Sequence, residues 1–209
     1  MDQWIAILLL ISTLLFFLIR KISESIPIMV FQSLILVLTP IVMWYKTGFT
    51  HLLMAASFTL VVKVIIIPYI LYYTLKKIDR DVERFTSKYT SLIIALGLSV
   101  LGFYVTARLH LPTTEFGGRF LPISIILVFL GTYIMIDHKK SLMQGVGLIT
   151  IENGLFLVAQ SISYGMPMIV ELGIFFDMFV SVVIIGLLSF HIHSTFESTN
   201  VEKLKNLKG

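Results

Sequence analysis

Three ionisable residues stand where charge is costly: Lys63, Glu152 and Asp177 each lie inside an apolar run. Placing such a side chain at mid-membrane costs about 2.5–3.5 kcal/mol on insertion scales, so it normally faces a partner or a water-filled cavity. Glu152 sits in GVGLITIENGLFLVAQ, with Gly145 and Ala159 seven residues to either side and so within about 20° of its helical face. Small residues there admit a close neighbouring helix or water. Asn153 follows directly and Gln160 lies two turns on. Burial disfavours the charge on a carboxylate and a nearby cation restores it, so a balanced site can take up and release a proton. Proton handling is the leading reading of Glu152, and structural hydrogen bonding is the alternative.

Lys63 lies in SFTLVVKVIIIPYIL, with Thr59 and Ala56 on its face. Pro68 has no N–H to give the carbonyl of Val64, which leaves an acceptor one turn from the ammonium. The position is too deep to snorkel, and a buried lysine is the usual partner for a membrane carboxylate. A place on a proton path and a static ion pair are both open. Asp177, in ELGIFFDMFVSVVIIG, has Gly173 and Ser181 four residues to either side, a small and polar stripe. Function and structure are evenly matched for it. Glu171 falls at an external helix start, where the helix dipole favours a carboxylate.

Other chemistries lack their residues. The chain has no cysteine, which excludes disulfides, thiolate-held iron–sulfur clusters and zinc–thiolate sites. His51, His110, His138, His191 and His193 fall mostly at expected helix ends and read as interfacial side chains rather than metal ligands. No P-loop, GxGxxG turn or nucleophile elbow occurs, so no metal, no cofactor and no catalytic residue is assigned.

The elements that position these residues follow from composition. Apolar residues make up 57% of the chain and charged residues 13%, and the mean hydropathy is +0.95. A soluble domain carries about 25% charged residues, so most of this surface must face lipid. Apolar runs long enough to cross a core of about 30 Å lie near residues 3–20, 26–45, 52–75, 89–110, 121–137, 142–164 and 168–190. The fold expected is an all-α integral membrane protein of about seven transmembrane helices.

Twelve Lys and Arg residues (Arg20, Lys21, Lys76, Lys77, Arg80, Arg84, Lys88, Lys139, Lys140 and the tail lysines 203, 205 and 208) fall on one side. Lys46, Arg108 and Arg119 fall on the other. The positive-inside rule puts the first side in the cytoplasm, with the N-terminus outside and the C-terminal tail inside. The same placement accounts for the basic pI without nucleic acid. Residues 76–88 read either as an amphipathic surface helix, on the spacing of Ile78, Val82 and Phe85, or as a solvated linker.

Three helices over 1–78 form one bundle, 79–120 hold the linker and a fourth helix, 121–193 form a second three-helix bundle, and 194–209 are a cytoplasmic tail. Shifting the chain by 120 residues sets Arg20 over Lys140 and Gln32 over Glu152. A duplication of that kind would be parallel, because the first helix maps onto the fifth.

Together FQSLILV, KVIIIP, the IENG block, the ELGI-x-x-D block and the tail NVEKLKNLKG resemble component E of the hydrogenase-four and formate-hydrogenlyase type across nearly the whole chain. The second half is also similar to the small K component of NADH–quinone oxidoreductase and to the C component of multisubunit cation/proton antiporters. The resemblance implies that Glu152 matches a carboxylate of the central polar axis that carries protons. The second carboxylate of that axis has no counterpart, since Val180–Ile184 carries none and Asp177 lies one to two turns early.

The resemblance further implies a non-redox subunit in a prokaryotic inner (plasma) membrane, beside antiporter-like subunits and, indirectly, soluble hydrogenase-type subunits. The residues assigned to a proton path are Glu152, Lys63 and Asp177, supported by the polar Gln32, Thr59, Asn153 and Ser181. The competing readings are an antiporter-like ion-transport assembly without hydrogenase and a purely structural scaffold.

Overall fold

The computed structural model describes residues 2–19, 21–75, 84–109 and 117–162, together with Val183. Among these residues seven α-helices follow in order: α1 (Asp2–Leu15), α2 (Ser25–Thr47), α3 (His51–Thr59), α4 (Ile67–Leu75), α5 (Lys88–Arg108), α6 (Gly117–Asp137) and α7 (Ser141–Ile162). A π-helical segment, Leu60–Ile66, joins α3 to α4, so His51–Leu75 is one rod. An isolated antiparallel bridge joins Arg84 to His138.

Five helical stretches have the length and apolarity to cross a bilayer: Ile22–Thr47, His51–Leu75, Lys88–Arg108, Gly118–Asp137 and Ser141–Ile162. They coincide with the second to sixth expected spans, and the seventh lies outside the described residues. The first span is shorter than its apolar run. The hydroxyls of Ser12 and Thr13 both bond back to the Leu9 carbonyl at 2.8 Å, and beyond them Phe16, Phe17 and Leu18 close three-residue turns. The carbonyls released by this tightening do not stay bare, because Arg84 takes those of Phe17 (2.8 Å), Phe16 (3.1 Å) and Ile19 (3.1 Å). An unsatisfied carbonyl at a buried helix end would be costly.

The hairpin of α6 and α7 is the tightest contact. A Cβ on Gly147 would stand 2.7 Å from the Gly131 carbonyl oxygen, and one on Gly154 would stand 2.7 Å from the Ser124 carbonyl oxygen. The backbones of the two helices therefore touch, as small-residue faces allow in membranes. Gly147 and Gly154 are seven residues apart, so they define one face of α7. Glu152 and Asn153 are left to turn toward α2 and the rod.

The ends of the helices agree with alternating passage. The chain after α1, residues 84–86 and the α6–α7 turn meet at one end through Arg84 and Asp137. Among the described residues, 84–87 are not helical and Ser87 is an extended N-cap accepting from the Thr90 amide. The amphipathic-helix alternative for 76–88 therefore does not extend to its last turn, and residues 76–83 lie outside the described set.

Helices α2 and α7 touch at Gln32–Asn153 and Thr39–Gln160. Both contacts are separated by 121 residues and step forward together, so the two helices run parallel.

Candidate functional site

The π-helical segment carries the lysine. Ile67 donates its amide to Val62 rather than to Lys63, and Pro68 follows with no amide to donate. Such a wide turn rotates the side chains after it relative to a regular helix. Lys63 is thereby turned fully inward, with 0% exposure, in a rod whose neighbouring Val61 and Ile65 are exposed.

The Lys63 ammonium forms an ion pair with Glu152 Oε2 and donates to Asn153 Oδ1 at 2.7 Å. It also lies 5.4 Å from the centre of the Phe156 ring, within cation–π range. Glu152 is 6% exposed, and its Oε1 receives no hydrogen bond among the described residues. An ammonium, a carboxylate and an amide thus meet inside the bundle. This is the juxtaposition that residue types alone left open, since one sequence does not say that the third and sixth expected spans are neighbours.

The amide does not end the network. Asn153 Nδ2 donates to Gln32 Oε1 at 3.0 Å. Gln32 Nε2 in turn donates to Thr13 Oγ1 at 2.7 Å, and Thr13 bonds to the Leu9 carbonyl. One buried chain of hydrogen bonds therefore joins α1, α2, α7 and the rod. Toward the far end of α7, the Thr39 hydroxyl lies 2.8 Å from the Leu36 carbonyl of its own helix and 2.7 Å from the Gln160 side-chain amide.

Of the expected supporting residues, Gln32 and Asn153 join the site. Thr59 is buried but bonds back to the Ala55 carbonyl at 2.9 Å, so its hydroxyl serves its own helix. Asp177 and Ser181 lie outside the described residues. Gly145 is buried, and Gly147 and Gly154 make the close approach to α6. Thr13 and Thr39 were not singled out by sequence. A lone threonine in an apolar helix gives little signal, because its hydroxyl can bond its own backbone.

A second polar cluster sits at the helix ends, from residues that composition marks only as interfacial. Asp137 accepts from the Thr86 amide (3.1 Å), the Thr86 hydroxyl (2.5 Å) and the Ser91 hydroxyl (2.6 Å). His138 is fully buried, with Nδ1 2.8 Å from the Ile134 carbonyl. Burial first pushes its pKa down; the Ile134 hydrogen bond raises it, Arg84 lowers it and Asp137 raises it, for a value of about 4. The Arg84 guanidinium is also lowered by burial, against the attraction of Asp137. Among the described residues no three His, Asp or Glu side chains gather as a metal-ligand set.

Comparison with known proteins bears on the chain as a whole. The chain is 26% identical over 181 residues to hydrogenase-4 component E of Escherichia coli K12, covering 85% of this chain and 83% of that one. This chain is similar to hydrogenase-4 component E along most of its length. The Shigella flexneri component E matches to the same extent. The uncharacterised protein Rv0085 of Mycobacterium tuberculosis is 21% identical over 192 residues, 90% of this chain and 87% of that one. No family model and no solved structure matches.

Proposed function

We propose that this chain is a non-redox membrane-arm subunit of an energy-converting, formate-hydrogenlyase-like hydrogenase complex, in which Glu152 and Lys63 contribute to coupled proton or cation translocation. The observation that carries the proposal is the Lys63–Glu152 pair itself, buried between helices at mid-length of both. A buried acid–base pair can exist as ions or as neutral groups after an internal proton transfer, and a change in local field or hydration biases that choice. Antiporter-like subunits beside it would receive or supply the proton, while soluble hydrogenase-type subunits perform the redox chemistry. In this reading the subunit is itself non-catalytic and lies in the inner membrane of a prokaryote, with its N-terminus outside and its tail inside, as the distribution of Lys and Arg predicts.

The reading of the pair as a static lock has its own support in the hydrogen-bond chain that ties four segments together. The two readings part at one substitution. Glu152→Gln keeps the size of the side chain and its hydrogen-bonding atoms while removing the titratable proton. In the assembled complex, proton translocation per electron pair should fall while hydrogenase turnover and assembly persist. An unchanged ratio would leave the lock. An antiporter-like assembly without hydrogenase would instead show itself by purification in mild detergent without nickel–iron or iron–sulfur subunits.

A further inference from the structure

The buried hydrogen-bond chain has a direction, and that direction is set at its far end. Thr13 Oγ1 donates its proton to the Leu9 carbonyl, so toward Gln32 it can only accept. Gln32 must then present Nε2 to Thr13, which turns Oε1 toward Asn153. Asn153 must present Nδ2 to Gln32, which turns Oδ1 toward Lys63. An ammonium has three donors and no acceptor, so Oδ1 is the atom it requires. Reversing either amide would set donor against donor at a fully buried position.

We infer that Thr13, on α1, is a positioning residue for Lys63: its back-bonded hydroxyl fixes the polarity of the Gln32–Asn153 amide pair and so presents an acceptor to the ammonium that faces Glu152. Neither amide titrates, so the chain holds the charge in place and is not itself a route for protons. Thr13 also lies one turn from Phe16 and Phe17, whose carbonyls Arg84 binds. The same turn of α1 thus anchors both the core site and the polar cluster at the helix ends.

The inference rests on Glu152 and Lys63 being a proton-handling pair, and its test reads that pair without reading translocation. The full chain is reconstituted in liposomes and titrated by infrared spectroscopy, following the carboxyl C=O band that Glu152→Gln removes. Thr13→Val keeps the shape and removes the hydroxyl. Losing one ordered hydrogen bond to the ammonium should change the balance of ionised and neutral pair about fivefold, moving the titration by about 0.7 pH unit. Thr13→Ser, which keeps the hydroxyl, should titrate as the parent does. Gln32→Met breaks the chain one link nearer, should reproduce the shift, and should add nothing to Thr13→Val in the double variant.

A parental titration in Thr13→Val or Gln32→Met, or a full shift in Thr13→Ser, overturns the positioning role alone. An unchanged translocation ratio in Glu152→Gln overturns the proton-handling reading alone. A Glu152 band that appears at no pH overturns both.

Discussion

At the scale of residues, the decisive arrangement is two opposite charges that share an amide. Removing one partner of a buried ion pair strands the other, which typically costs about 3–5 kcal/mol, whereas removing both can be nearly neutral. Lys63→Met should therefore lower thermal stability in detergent strongly. The double variant Lys63→Met with Glu152→Gln should recover much of that loss, because the two side chains touch and their effects cannot add. Additive losses would show that the pair is not formed in the working protein.

His138 supplies a pH prediction at the same scale. Its folded pKa of about 4 lies below its ordinary 6.5, so the unfolded chain binds a proton that the folded chain refuses. Stability is complete above about pH 6.5 and falls as the pH drops toward 4, by at most about 3 kcal/mol. His138→Asn, which retains a donor for the Ile134 carbonyl, should flatten this acid slope of thermal stability. A slope unchanged by the substitution would assign it to other groups.

At the scale of elements, backbone irregularity and close approach do the positioning. The KVIIIP block announces a disturbed helix, because proline cannot donate, but the π-helical form of that disturbance and its inward turn of Lys63 depend on tertiary packing. Pro68→Ala should let the rod relax toward regular helix. Thermal stability should hold or rise while translocation per turnover falls; a fall in neither would detach the π segment from the site. Glycine spacing carries a second prediction. Gly147→Ala would force a methyl against the Gly131 carbonyl oxygen and should cost about 1–3 kcal/mol. Gly97→Ala, with nothing within 4 Å of the added atom, should be tolerated, as paired melting curves would show.

The five long spans were legible because apolar length is a local property of the sequence. The early end of α1 was not, since Phe16, Phe17 and Ile19 are as apolar as the residues before them. The carbonyls beyond that end are satisfied by the distant Arg84, which a charge count sees only as a topology marker. Likewise Glu152 and Lys63 were recognisable one by one from the cost of burying them. Their contact, and the recruitment of Thr13, depend on which helices are neighbours, and hydropathy is silent about that.

At the scale of the whole molecule, the parallel meeting of α2 and α7 sets Gln32 against Asn153, beside the Lys63–Glu152 pair. The orientation predicted from charge places residues 76–88 and the tail in the cytoplasm. Labelling or proteolysis should reach them only from inside, and cleavage of the tail in intact cells would reverse the orientation. The claim on which the functional reading turns is that Glu152 carries a proton during turnover. Its most direct test is acidification or membrane potential in proteoliposomes holding the assembled complex, normalised to electron transfer. Because a positioned proton carrier typically contributes at least about 100-fold to its step, Glu152→Gln should lower that ratio by about tenfold or more with assembly intact. A Glu152→Gln complex that translocates protons at the parental ratio would contradict the account and leave the ion pair a structural lock.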